Sequence, residues 1–130
     1  MPQYSTTHRT NNMQGIVTQA GATAHILIYT AAAANCAAAG SGTLLATLPC
    51  SATLGTVTNG VLTFNAITNA TASGTGTAVQ WRLCTTSAGT ACVAQGTIGT
   101  SGAELNLNST SISSGQTVSI TAFSITATGA

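Results

Sequence analysis

The sequence predicts an all-β protein: a β-sandwich or jelly-roll-like single domain with a short N-terminal helix and an extended N-terminal arm. Three observations carry that expectation. From residue 25 onward, short apolar or alternating runs follow one another, separated by turn residues about every 8–12 positions. Helical spacing of apolar residues occurs once, near the start. The length of 130 residues matches one domain, since domains most often run to roughly 100–150 residues.

Residues 1–9 read as the arm. The stretch that holds Met1, Pro2, Gln3, Tyr4, His8 and Arg9 is polar overall and lacks the hydrophobic run of a signal peptide, so processed secretion is not expected. Residues 10–20 read as the helix, which opens a domain of residues 10–130. Met13, Ile16, Val17 and Ala20 form one apolar stripe, with Thr10, Asn11 or Asn12 as its cap and Gly21 as its stop. Gly15 weakens this helix by about 1 kcal/mol relative to alanine.

Strands follow. The run His25-Ile26-Leu27-Ile28-Tyr29 reads as a buried first strand. Residues 31–42 are alanine-rich, but Asn35, Gly40 and Gly42 favour a loop over a helix. Residues 44–48 form a second strand stopped by Pro49, which cannot donate to an interior ladder. Asn59-Gly60 is a two-residue hairpin turn leading into Val61-Leu62-Thr63-Phe64. In residues 78–85, Val79, Trp81 and Leu83 alternate with Gln80, Arg82 and Cys84. Ser87-Ala88-Gly89 turns the chain back through residues 92–98. Leu105 and Leu107, a turn at Ser113-Ser114-Gly115, and residues 118–125 complete the set.

Charge is nearly absent. The chain has two arginines (Arg9 and Arg82), one glutamate (Glu104), and no lysine or aspartate. Charged residues make up 2%, against roughly a quarter in an ordinary domain. Low hydrophobicity with high net charge would signal disorder, but here the apolar share is 44% and the net charge +1. The surface must be hydroxyl, amide and methyl, and a nearly neutral surface favours association. No run approaches the roughly 20 consecutive apolar residues that span a bilayer.

The same scarcity excludes most chemistry. Glycoside hydrolysis needs two carboxylates, and magnesium or calcium sites need several. A serine triad needs an acid to orient its histidine, and no Gly-x-Ser-x-Gly turn occurs. Glu104 therefore reads as a structural hydrogen-bond partner or the mate of an arginine. His8 and His25 have no ligand-spaced companions. Trp81 beside Arg82 resembles a stacking platform, but its alternation with Val79 and Leu83 places it in the core. Two arginines are too few for phosphate-driven nucleic-acid binding. No enzyme, cofactor, metal, nucleic acid or membrane partner is expected.

Four cysteines remain. Cys84 and Cys92 flank a seven-residue turn, which sets them opposite each other on a hairpin, either bridged or merely packed. Cys36 and Cys50 bracket a loop and strand and could meet likewise. Neither spacing is that of a zinc pair. The compartment decides between thiol and disulfide.

Several segments together carry a resemblance. They are Thr10-Asn11-Asn12-Met13, Ile26-Leu27-Ile28-Tyr29-Thr30, Gly42-Thr43-Leu44-Leu45-Ala46-Thr47-Leu48 and Gln95-Gly96-Thr97-Ile98-Gly99. Ala103-Glu104-Leu105-Asn106-Leu107 and Gly115-Gln116-Thr117-Val118-Ser119-Ile120 complete them. Over most of the chain they resemble small virion structural proteins of tailed bacteriophages, the capsid decoration or cement proteins. That family carries more charge and proline, and the alanine loop with Cys36 departs from it. The resemblance implies a β-rich, non-enzymatic protein, made in the host cytoplasm and bound to the capsid exterior. There it would bridge subunits of the major capsid protein, as a homotrimer at local symmetry axes. Residues 1–9 are the candidate bridging arm. The alternatives are another virion component, such as a head-fibre base or tail protein, and a bacterial surface appendage or adhesin subunit.

Overall fold

The computed structural model describes residues 2–89 and 91–129. Among the described residues, one helix, α1 (Thr6–Ala20), precedes twelve strands. They are β1 (His25–Ala31), β2 (Ser41–Pro49), β3 (Gly55–Thr58), β4 (Val61–Phe64), β5 (Ala70–Thr71) and β6 (Gly76–Thr77). After these come β7 (Gln80–Cys84), β8 (Cys92–Gly99), β9 (Leu105–Leu107), β10 (Ser111–Ile112), β11 (Thr117–Val118) and β12 (Ile120–Thr126).

The helix begins four residues earlier than its apolar stripe suggested, which corrects the expected arm. Ser5 is the N-cap, its side chain accepting the His8 N–H at 3.1 Å. A serine oxygen there satisfies one of the donors that a helix start leaves unpaired, and nothing in Thr6–Arg9 breaks a helix. His8 and Arg9 therefore sit in the first turn. Met13 and Ala20 are buried as the stripe requires, and Gly21 ends the helix with its N–H on the Val17 carbonyl. Only Pro2 to Tyr4 precede the cap as described non-helical chain, and Met1 lies outside the described residues.

Eight strands form one curled sheet in the order β2-β1-β7-β8-β9-β12-β4-β3. All neighbours are antiparallel except β8 and β9, where Ile98 faces Leu105 and Gly99 faces Asn106 in parallel. The β3–β4 hairpin has the expected register, Thr58 opposite Val61. Asn59 and Gly60 make its turn at φ 51° and 78°, the left-handed conformation that a two-residue hairpin of this type demands. Two small ladders, β10–β6 and β11–β5, lie apart from the main sheet.

From Gln80 onward the alternation read from the sequence becomes a two-faced sheet; Val79, expected on the core face with Trp81 and Leu83, lies just before β7 and is exposed. Register sets Ile28 beside Trp81 and Ile26 beside Leu83, so these four share the core face. Leu45, Leu48, Leu54, Leu62, Leu105 and Leu107 join them, and Ile112 and Val118 from the small ladders pack into the same core. Trp81 meets Phe123 edge-on at 4.8 Å, and Phe123 stacks on Phe64 at 3.9 Å. Trp81 is thus a core residue, not a surface platform. The protein is all-β with one helix, its core enclosed by the curl of the sheet.

Candidate functional site

The other face of β7 is polar by sequence, yet every residue of β7 is buried. Gln80, Arg82 and Cys84 alternate with the core residues Trp81 and Leu83, so they project away from the core. In an edge strand they would meet water. β7 is central, however, and the alanine-rich segment 32–40 crosses over this face as a strap. Asn35 shapes its tip, accepting the N–H groups of Ala37 and Ala38 at 3.0 Å each. That local bonding explains why an alanine-rich stretch is not helical.

Side chains of the sheet hold the strap down. Gln80 accepts the Ala33 N–H at 3.0 Å, and Gln95 donates to the Ala33 carbonyl at 3.3 Å. Arg82 Nη2 donates to the carbonyls of Cys36 at 3.2 Å and Ala38 at 2.8 Å. Arg82 is 2% exposed, and its Nε and Nη1 are buried without a hydrogen-bond partner among the described residues. The chain's one acidic side chain does not reach it: Glu104 Oε1 accepts the Thr97 N–H at 3.1 Å. Of the two roles expected for Glu104, hydrogen-bond partner is therefore the observed one, and it is exposed rather than paired with an arginine.

A covalent bond completes the strap. Cys36 is joined to Cys92 at the start of β8, with α-carbons 5.3 Å apart. The pairings suggested by spacing, Cys84 with Cys92 and Cys36 with Cys50, are thus corrected. Cys84 and Cys92 do stand opposite each other across β7 and β8, as the hairpin implied, with a register shift just before Cys84. Cys84 remains a free thiol, as does Cys50. Sequence spacing could not find the bridge, because it depends on a strap that returns over a sheet face. Burial pushes the Cys84 thiol up from its ordinary pKa, and the positive charge of Arg82 offsets part of that rise. Cys50 packs against the core side and is pushed up by burial to about 12.

Between the strap and the turn after β7 lies a cavity of about 440 Å³, lined by Tyr29, Arg82, Gly89 and strap residues including Cys36 and Gly40. A site of this kind offers backbone carbonyls, a buried cation and a disulfide. It holds no carboxylate. Among the described residues no group of three or more His, Cys, Asp or Glu is placed to hold a metal ion. His25 sits across from Cys84 on β1, with its Nδ1 2.8 Å from the Thr23 carbonyl.

The candidate contact residues at the N-terminus are not a free arm. The Tyr4 N–H donates to the Gly129 carbonyl, and the Tyr4 and His8 rings lie 4.8 Å apart. Arg9 Nε donates to the Tyr4 carbonyl at 3.3 Å and its Nη2 to Thr6 Oγ1 at 3.1 Å. Gly60, in the β3–β4 turn, donates its N–H to Thr10 Oγ1 at 3.0 Å. Pro2, Gln3, Tyr4 and His8 are nonetheless exposed, so this end of the molecule presents an uncharged polar surface with one guanidinium. Among the described residues, no helix is long and apolar enough to cross a membrane. Comparison with known proteins finds no matching family model, no matching curated protein and no matching solved structure.

Proposed function

We propose that this chain is a non-enzymatic virion structural protein that binds the outside of a phage capsid and bridges subunits of the major capsid protein. The observation that carries this reading is the charge-poor surface. With three charged side chains, one of them buried, the protein has little means of steering a charged ligand or polarising a substrate. Among the described residues, only Tyr4 and Val79 are large apolar residues with high exposure, so the contact surface there is hydroxyl, amide and methyl. Such a surface suits extended hydrogen-bonded packing against another protein. The segments that resemble decoration proteins fall on α1, β1, β2, β8, β9, β11 and the first residue of β12, which are scaffold elements. In this reading the curled sheet and its small ladders serve as a jelly-roll-like block, and three copies meet at a local symmetry axis. Binding only to the assembled lattice would stabilise it by mass action.

The test uses capsids of the encoding phage, stripped of this protein, with the purified chain added back. Retention should be nearly constant from low to near-molar salt, because salt screens charge pairs and few exist here. A chelator should release nothing, since the chain lacks carboxylates for calcium or magnesium. Failure to bind the capsid, or loss of most copies at moderate salt, would refute the proposal. The Cys36–Cys92 bond favours a second reading, a bacterial surface appendage or adhesin subunit, because disulfides persist outside the cytosol. Recovery of the protein on cell surfaces rather than on particles would select it.

A further inference from the structure

Three of the four cysteines meet at one end of the β7–β8 hairpin. Cys92 is bonded to Cys36 of the strap, and the free Cys84 is its register partner on the neighbouring strand. Directly opposed residues of an antiparallel pair lie about 4.5–5.5 Å apart at their α-carbons, inside the range a disulfide accepts. Cys92 therefore has two possible partners within bonding reach, and only one is used. Arg82, two residues before Cys84 on the same face, brings a positive charge that has no carboxylate to neutralise it. Thiolates beside such a charge are favoured over thiolates in apolar surroundings. Cys50, packed against the core on the other side of the sheet, takes no part.

We propose that Cys84 is an internal nucleophile toward the Cys36–Cys92 disulfide, converting it to Cys84–Cys92 and releasing the strap. The Cys84 thiol first loses its proton to solvent. Its Sγ attacks Cys92 Sγ, the Cys84–Cys92 bond forms, and the Cys36–Cys92 bond breaks. The electron pair leaves on Cys36 Sγ, which takes up a proton from solvent. One disulfide and one thiol exist before and after, so no oxidant or reductant is consumed. The exchange moves the free thiol from a buried strand to a half-exposed loop. It also leaves segment 32–40 held only by the hydrogen bonds of Gln80, Arg82 and Gln95, which opens the cavity beneath it. The groups that face Cys84 are Arg82 on its own strand, His25 opposite it on β1, and the bonded Cys92 and Cys36 on β8 and the strap. Burial keeps the attacking thiol protonated near neutrality, so exchange is slow there and gains about tenfold per pH unit while thiolate remains the minor form.

The test is to hold the oxidised, full-length protein without added thiol at pH 7, 8 and 9 with a membrane-impermeant maleimide. Thermolysin digestion without reduction then maps labels and bridges by mass spectrometry. The expected products are label on Cys36 and a Cys84–Cys92 bridge, formed at a rate independent of protein concentration and rising with pH. Cys84→Ser and Cys84→Ala should both abolish Cys36 labelling, and Arg82→Met should slow it. Label confined to Cys84 and Cys50 with the Cys36–Cys92 bridge intact would overturn the proposal. So would Cys36 labelling that survives in both Cys84 variants.

Discussion

Arg82 holds the carbonyl oxygen of Ala38 at 2.8 Å, a contact between a buried cation of the central strand and the crest of the strap. Two opposing energies act on it. Hydrogen bonds to a charged group contribute about 1.5–3 kcal/mol, while a buried cation with unpartnered nitrogens costs desolvation energy. Arg82→Met keeps most of the packing and removes both effects. We expect global stability to change by less than about 1 kcal/mol in urea unfolding, because replacing a buried ion by a hydrophobe is often nearly neutral. Amide exchange in residues 33–39 should accelerate, since Cys36 and Ala38 lose their donor. Unchanged strap protection would show that Arg82 does not anchor it.

Gly96 lies directly opposite Trp81, and the indole rests against its backbone. A β-carbon at residue 96 would sit 2.8 Å from the indole ring and against the Glu104 carboxylate. The indole is fully buried and packed edge-on against Phe123, so it has little room to shift. Gly96→Ala should cost about 1–3 kcal/mol, the usual range for overpacking a core. Urea unfolding followed by tryptophan fluorescence reads both the loss and the displaced ring. Wild-type stability in that variant would contradict the contact.

Cys50 sets a pH dependence. Its thiol is pushed up to about 12 by burial, against an ordinary value of 9.0. Between those values the folded chain keeps a proton that the unfolded chain releases, so stability falls as pH rises. The contribution is complete below about pH 9 and is lost as pH climbs toward 12, and Cys84 acts in the same direction. Cys50→Ala should be less stable near neutrality but show a shallower decline above pH 9. Parallel alkaline limbs for the two proteins would remove the burial argument.

The strands were legible because their signals are local. Asn59-Gly60 encodes a hairpin in two residues, and the alternation around Trp81 encodes a two-faced strand. The same alternation does not say what covers the second face. Gln80 and Arg82 look solvent-facing in sequence, and only the central position of β7 and the strap above it bury them. The disulfide was hidden for a related reason, since Cys36 reaches Cys92 through a loop closure of sequence separation 56. At the N-terminus the apolar stripe starts at Met13 and so points to Thr10, Asn11 or Asn12 as the cap, whereas the polar first turn Thr6–Arg9 carries no apolar signal and Ser5 is the cap.

That correction changes what removing the N-terminus should do. Deleting residues 1–9 takes away the Ser5 cap, the first helical turn and the Tyr4–Gly129 backbone bond. Loss of the cap alone costs about 1 kcal/mol, so the deletion should destabilise the whole domain rather than trim a free arm. Ser5→Ala isolates the cap and should lose roughly that amount in thermal or urea unfolding. Deleting residues 1–3 instead leaves Tyr4, the cap and the helix in place and should not change stability. The two deletions then separate folding from binding. If Pro2 and Gln3 reach a neighbouring subunit, the short deletion lowers retention on the capsid at full stability. If retention is unchanged, any bridge lies elsewhere, with the exposed polar side of α1 as the next surface to vary.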